Sequence, residues 1–137
     1  MEQTLFSSLI FDFLQKEYPD FLPVKYLEDN SFDCSIQSPS GEFSMWIATY
    51  GCEITYGIEA PDGKTDIHSH FSCYEIDDIP DCLQSIRKWI QSVINNEIFI
   101  YCKDSNAWDW IDHETLKKKE LKAGKVYPKH YWVENSL

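Results

Sequence analysis

Three successive segments in the middle of the chain alternate apolar and polar residues with a period of two. Phe43, Met45 and Ile47 alternate with Ser44, Trp46 and Ala48. Ile54, Tyr56 and Ile58 alternate with Glu53, Thr55, Gly57 and Glu59. Ile67, Ser69, Phe71 and Cys73 fall opposite Asp66, His68, His70 and Ser72. Neighbouring side chains of a strand point to opposite faces, so each segment predicts a strand with one buried face. The connections, Tyr50-Gly51 and Ala60-Pro61-Asp62-Gly63, are too short for a crossover and predict an antiparallel meander.

Such a sheet needs a cover on its apolar face, and two amphipathic stretches supply it. Leu5, Phe6, Leu9, Ile10, Phe13 and Leu14 recur at helical spacing, predicting a helix from Thr4 to Glu17 with Thr4 as cap and Pro19 beyond its end. Ile79, Leu83, Ile86, Ile90, Val93 and Ile94 mark a second helix. Asp77 or Asp78 is its expected cap, Pro80 lies in its first turn, Asp81 suits the positive end of its dipole, and Asn95-Asn96 is a left-handed stop. Shorter strands are expected at Val24–Leu27, Phe32–Ile36, Glu97–Cys102 and Ala107–Ile111, with a turn over Lys103, Asp104, Ser105 and Asn106. Together these elements predict a single α+β domain over residues 1–137, a two-layer arrangement of an antiparallel meander sheet packed against two helices. The expected core is the two helix stripes with Met45, Ile47, Ile54, Tyr56, Ile58 and Phe71.

Charge is distributed unevenly. The chain carries a net −11, yet residues 116–137 hold six lysines against two glutamates, +4, which leaves −15 on residues 1–115. An acidic body opposes non-specific binding to nucleic acid and to an anionic membrane, so neither is an expected partner. The basic C-terminal segment either folds over that body, reaches out to a partner or frays. The five cysteines, Cys34, Cys52, Cys73, Cys82 and Cys102, are odd in number and form no C-x-x-C pair; all are expected to be reduced. The first residues have no basic and apolar leader pattern, and no apolar run approaches about 18 residues, so a cytoplasmic protein is expected.

Recognisable catalytic motifs are missing: the sequence contains neither G-x-S-x-G nor H-E-x-x-H. His68 and His70 lie two apart on a strand and face the same way, which suits a metal site, but the pattern identifies no third and fourth ligand; Glu53, Glu59 and Asp66 are the nearest candidates. No metal and no other cofactor is therefore expected. Asp109, Asp112 and His113 bring carboxylates near a histidine without forming a known nucleophile arrangement, and nothing local activates Cys73 or Cys102 as a thiolate. Two features fit protein binding instead. Trp46 falls on the polar side of its strand with His68, His70, Glu53 and Thr55, where an indole either anchors an interface or is covered by Tyr131 and Trp132. Glu75, Asp77, Asp78 and Asp81 form an acidic cluster that either caps the second helix or meets a basic partner. Asp104, Asp109, Asp112 and Glu114 form a second acidic run.

The stretch from Gly41-Glu42-Phe43-Ser44-Met45-Trp46 through Cys52-Glu53-Ile54-Thr55-Tyr56-Gly57 to His68-Ser69-His70-Phe71, followed by an acidic helix, resembles small immunity proteins of bacterial polymorphic-toxin systems. The resemblance spans residues 41–95 and transfers no individual site residue. It implies a small cytoplasmic protein that binds one toxin domain, with a basic surface, and blocks it. The residues themselves leave three classes open: a stoichiometric binding inhibitor without catalytic activity, a structural or adaptor domain, and a metal-dependent enzyme using His68 and His70.

Overall fold

The computed structural model describes residues 1–103 and 107–134. Asp104, Ser105 and Asn106, expected in a turn and in the second acidic run, lie outside the described residues. The meander is present and longer than expected. Strands β1 (Lys25–Tyr26), β2 (Phe32–Gln37), β3 (Ser44–Ala48), β4 (Glu53–Glu59) and β5 (Asp66–Ser72) form one antiparallel sheet in chain order. Met45, Ile47, Ile54, Tyr56 and Ile58 are buried on its inner face, and Phe71 packs there while partly exposed.

Helix α1 (Gln3–Glu17) buries Phe6, Ile10, Phe13 and Leu14. Its cap differs from expectation. The helix starts one residue before Thr4, and Glu2 stands at the cap without a side-chain bond. Gln3 is instead drawn into a polar pin. Its amide donates to the Ser7 hydroxyl (3.0 Å) and to the Thr49 carbonyl (2.6 Å), and its carbonyl accepts from the Gly51 amide (3.0 Å). Thr49 Oγ1 lies 3.1 Å from Ser7 Oγ and accepts from the Phe32 amide. Ser7 and Thr49 are both buried, so this network satisfies groups that would otherwise destabilise the core. Leu5, expected in the stripe, is exposed.

Helix α2 (Ile79–Ile94) buries Ile79, Cys82, Ile86, Trp89, Ile90 and Val93. Asp78 stands at its cap position, as expected, but makes no side-chain cap bond to it. A 3-10 turn, Ile76–Asp78, precedes the helix, with a reciprocal capping box between Glu75 and Asp78; Asp78 Oδ2 accepts from the Glu75 amide at 3.1 Å. The helix ends as expected, with Asn96 at φ +60°. Cys73, at the end of β5, and Cys82, in the first turn of α2, form a disulfide, which corrects the expectation of five free thiols; Cys34, Cys52 and Cys102 are free.

The C-terminal third departs furthest from expectation. Strands β6 (Ile98–Lys103) and β7 (Ala107–Asp112) form the expected hairpin, but β8 (Lys129–His130) pairs with the other edge of β6, making a second antiparallel sheet in the order β7-β6-β8. Between them lies an unexpected helix, α3 (His113–Ala123), capped by Asp112 through the Thr115 amide and closed by Gly124 at φ +69°. Strand β6 is covered on both faces. Ile100 joins the main core, while Phe99 and Tyr101 form a second core with Ile111 and Leu116. The basic segment thus docks by packing: Trp132, 4% exposed, sits 5.7 Å from the Phe43 ring, and Lys129 pairs with Glu120 of the same segment. The architecture is α+β with three helices and two antiparallel sheets among the described residues, where one sheet and two helices were expected. No helix among the described residues is long and apolar enough to cross a membrane.

Candidate functional site

The open face of the five-stranded sheet gathers five of the expected binding residues. Strand register decides their placement: Trp46 of β3 lies opposite Gly57 of β4, which lies opposite His68 of β5. One step along, Ala48, Thr55 and His70 form the next row, and Glu53 lies opposite Ser72 at the sheet end.

Gly57 makes the seat for the indole. A Cβ built there would lie 2.7 Å from Trp46 Cε2 and Cζ2, and equally close to the Ile67 carbonyl oxygen. The strand backbone is therefore in direct contact with the ring. The ring then leans on His68, with centroids 5.9 Å apart, and its Nε1 donates to Asp66 Oδ1 at 3.0 Å. Asp66 Oδ2 lies 3.6 Å from His68 Nδ1, so one carboxylate holds both rings. At the other end Glu53 Oε1 accepts from the Ser72 hydroxyl (3.2 Å) and lies 3.9 Å from His70 Nε2. The result is a partly exposed indole fixed in one orientation among carboxylates, imidazoles and hydroxyls.

Tyr131 and Trp132 do not cover this indole. Trp132 packs on Phe43 on the core side, and Tyr131 packs on Phe99 and His113. The acidic cluster follows β5 within the loop closed by the Cys73–Cys82 bond. Glu75 and Asp78 are occupied in the capping box, while Asp77 and Asp81 are exposed at the start of α2. Next to them are exposed apolar side chains that sequence periodicity did not single out, Tyr74 and Ile76. Their isolation between a strand end and a turn hides them from any pattern argument.

The other expected chemistry dissolves into structure. Asp109 pairs with Lys103 at 3.1 Å, and Glu114 with Lys118 at 3.4 Å. Asp112 caps α3, and the Thr115 amide and hydroxyl hold its carboxyl below the usual range. His113 Nε2 lies 2.9 Å from the Asn96 carbonyl oxygen, and its ring stacks near Phe99 and Tyr131. Among the described residues no group of three His, Cys, Asp or Glu side chains is placed to hold a metal ion. Of the two thiols considered as nucleophiles, Cys73 is in the disulfide and Cys102 is buried. Comparison of the chain with protein-family models, with curated proteins and with solved structures finds no match.

Proposed function

We propose that this chain is a stoichiometric, non-catalytic inhibitor that binds a protein partner through the open sheet face around Trp46, in the manner of the immunity proteins it resembles. The observation that carries the reading is the seated indole. A partly exposed tryptophan held by Gly57, His68 and Asp66 presents its contact area with little conformational freedom left to lose, the quality of an interface anchor. Thr55, His70 and Glu53 surround it with hydrogen-bonding groups. The partner is a toxin domain with a basic surface: the −15 of residues 1–115 attracts such a surface at long range, and Asp77 and Asp81 extend the acidic rim. A cytoplasmic setting goes with this reading; the Cys73–Cys82 bond weighs against it, because the cytosol keeps thiols reduced.

The test is a pull-down from the native cells followed by binding kinetics. Trp46→Ala should speed dissociation at least tenfold, roughly the effect of losing a central anchor. Asp77→Lys with Asp81→Lys, which spares the capping box, should slow association and flatten its salt dependence. Unchanged kinetics in both variants would remove the sheet face and its acidic rim as the interface.

A further inference from the structure

The five-stranded sheet has two unlike edges. Strand β1 is two residues long, a blunted edge, whereas β5 is seven residues long and pairs with β4 in unbroken register from Asp66 to Ser72. Native sheets protect a long edge with proline, lysine or a bulge, because its unpaired backbone is a template for another chain. Strand β5, Asp-Ile-His-Ser-His-Phe-Ser, carries none of these. No strand among the described residues pairs with its outer side; β7 lies toward the core, where its Trp110 stacks near Tyr56.

Hydrogen-bond parity shows which groups are open. In an antiparallel ladder alternate residues turn both backbone groups toward the same neighbour. The Cys73 amide donates to the Cys52 carbonyl, so Phe71, Ser69 and Ile67, at steps of two, face β4. Ser72, His70, His68 and Asp66 therefore face outward. Cys82 Sγ lies 3.5 Å from the Ser72 carbonyl oxygen, so the start of α2 closes that end. Asp66, His68 and His70 remain, and their amides and carbonyls have no hydrogen-bond partner among the described residues.

A second copy of β5, run antiparallel about a two-fold axis at His68, meets all of these groups. His68 then faces its own counterpart, and Asp66 faces His70 on either side of the axis. Each opposed pair exchanges both backbone bonds, and the carboxylate beside an imidazole is a favourable cross-strand neighbour. Neighbouring registers fail. An axis at Ser69 would bring in Ser72, which Cys82 obstructs, and an axis at Ile67 would leave His70 beyond the end of the opposite strand.

We propose that a second copy of this chain adds to the β5 edge, giving a symmetric dimer with one continuous antiparallel sheet in the register His68 to His68 and Asp66 to His70. The dimer does not depend on the inhibitor reading and stands or falls separately.

The experiment is sedimentation equilibrium of the full chain up to millimolar concentration, at low and moderate salt. A monomer–dimer equilibrium should appear. Each copy carries a net −11, so screening should tighten the dimer as salt rises, the opposite of association with a basic partner. His70→Asp, at an exposed side chain, sets carboxylate against carboxylate twice per dimer and should weaken it about tenfold without unfolding the monomer. Adding Asp66→His exchanges the pair and should restore the dimer. Cross-linking reads the register: opposed Cα atoms of a hydrogen-bonded pair lie about 5.5 Å apart, a span that suits a disulfide. On oxidation His68→Cys should therefore join two chains, and His70→Cys should not. A chain that stays monomeric at every concentration overturns the proposal. So does a dimer indifferent to His70→Asp, one that the double exchange leaves weakened, or cross-linking through position 70 rather than 68.

Discussion

Gly57→Ala tests whether the backbone of β4 seats the Trp46 indole. The added methyl would meet two kinds of neighbour at 2.7 Å: the Trp46 ring, which can swing outward, and the Ile67 carbonyl oxygen, which belongs to the β4–β5 ladder. Overpacking of this kind costs about 1–3 kcal/mol. The substitution also removes backbone freedom from the unfolded chain, which offsets about 0.4–1 kcal/mol. The net expectation is a loss of up to about 2.6 kcal/mol. An unfolding entropy of about 2.1 cal/mol/K per residue over 137 residues makes each kcal/mol worth about 3.5 °C, so the melting temperature should fall by up to about 9 °C. The Trp46 indole N–H resonance, now hydrogen-bonded to Asp66, should move toward its position in free solution. A double-mutant cycle separates the two collisions: in a Trp46→Ala background only the carbonyl remains, so Gly57→Ala should cost less there. An equal cost in both backgrounds, or no cost in either, would refute the seat.

Ile86, 1% exposed at the centre of α2, should cost about 2–5 kcal/mol on replacement by alanine in denaturant titrations; an unchanged midpoint would contradict its burial. Protein purified without reductant and then denatured should yield three titratable thiols, from Cys34, Cys52 and Cys102, whereas five would exclude the Cys73–Cys82 bond. In the native state Cys52 should be alkylated well before Cys34, whose thiol is pushed up to about 12 by burial and the neighbouring Asp33, and early labelling of Cys34 would contradict that environment. The Glu120 carboxyl is held below its ordinary value by the Lys129 ammonium and the Tyr127 amide, so its contribution is present at neutral pH and is lost as the pH falls through its folded value. The difference in melting temperature between wild type and Glu120→Gln should therefore shrink in acid; a gap that persists would show that the pairing adds nothing.

Sequence alone determined the meander and the two longer helices, because each buries a continuous apolar face and so writes its period into the chain: two for β3 to β5, 3.6 for α1 and α2. Short-range polar chemistry was visible too, in Asn96 ending α2. Helix α3 left no such period, since Leu116 is its one buried side chain; its signals were local, Asp112 three residues before Thr115 and Gly124 at its end. Strand β8 is two residues long and exists only because β6 offers a free edge, so nothing in its own composition marks it. For the candidate site, alternation placed Trp46, Glu53, Thr55, His68 and His70 on one face. Which of them touch was decided by register between strands, a relation among residues 9 to 22 positions apart that no local pattern carries. Gly57 is the clearest case: in the sequence it is a weak point in a strand, and only its position between Trp46 and His68 turns the missing side chain into room for an indole.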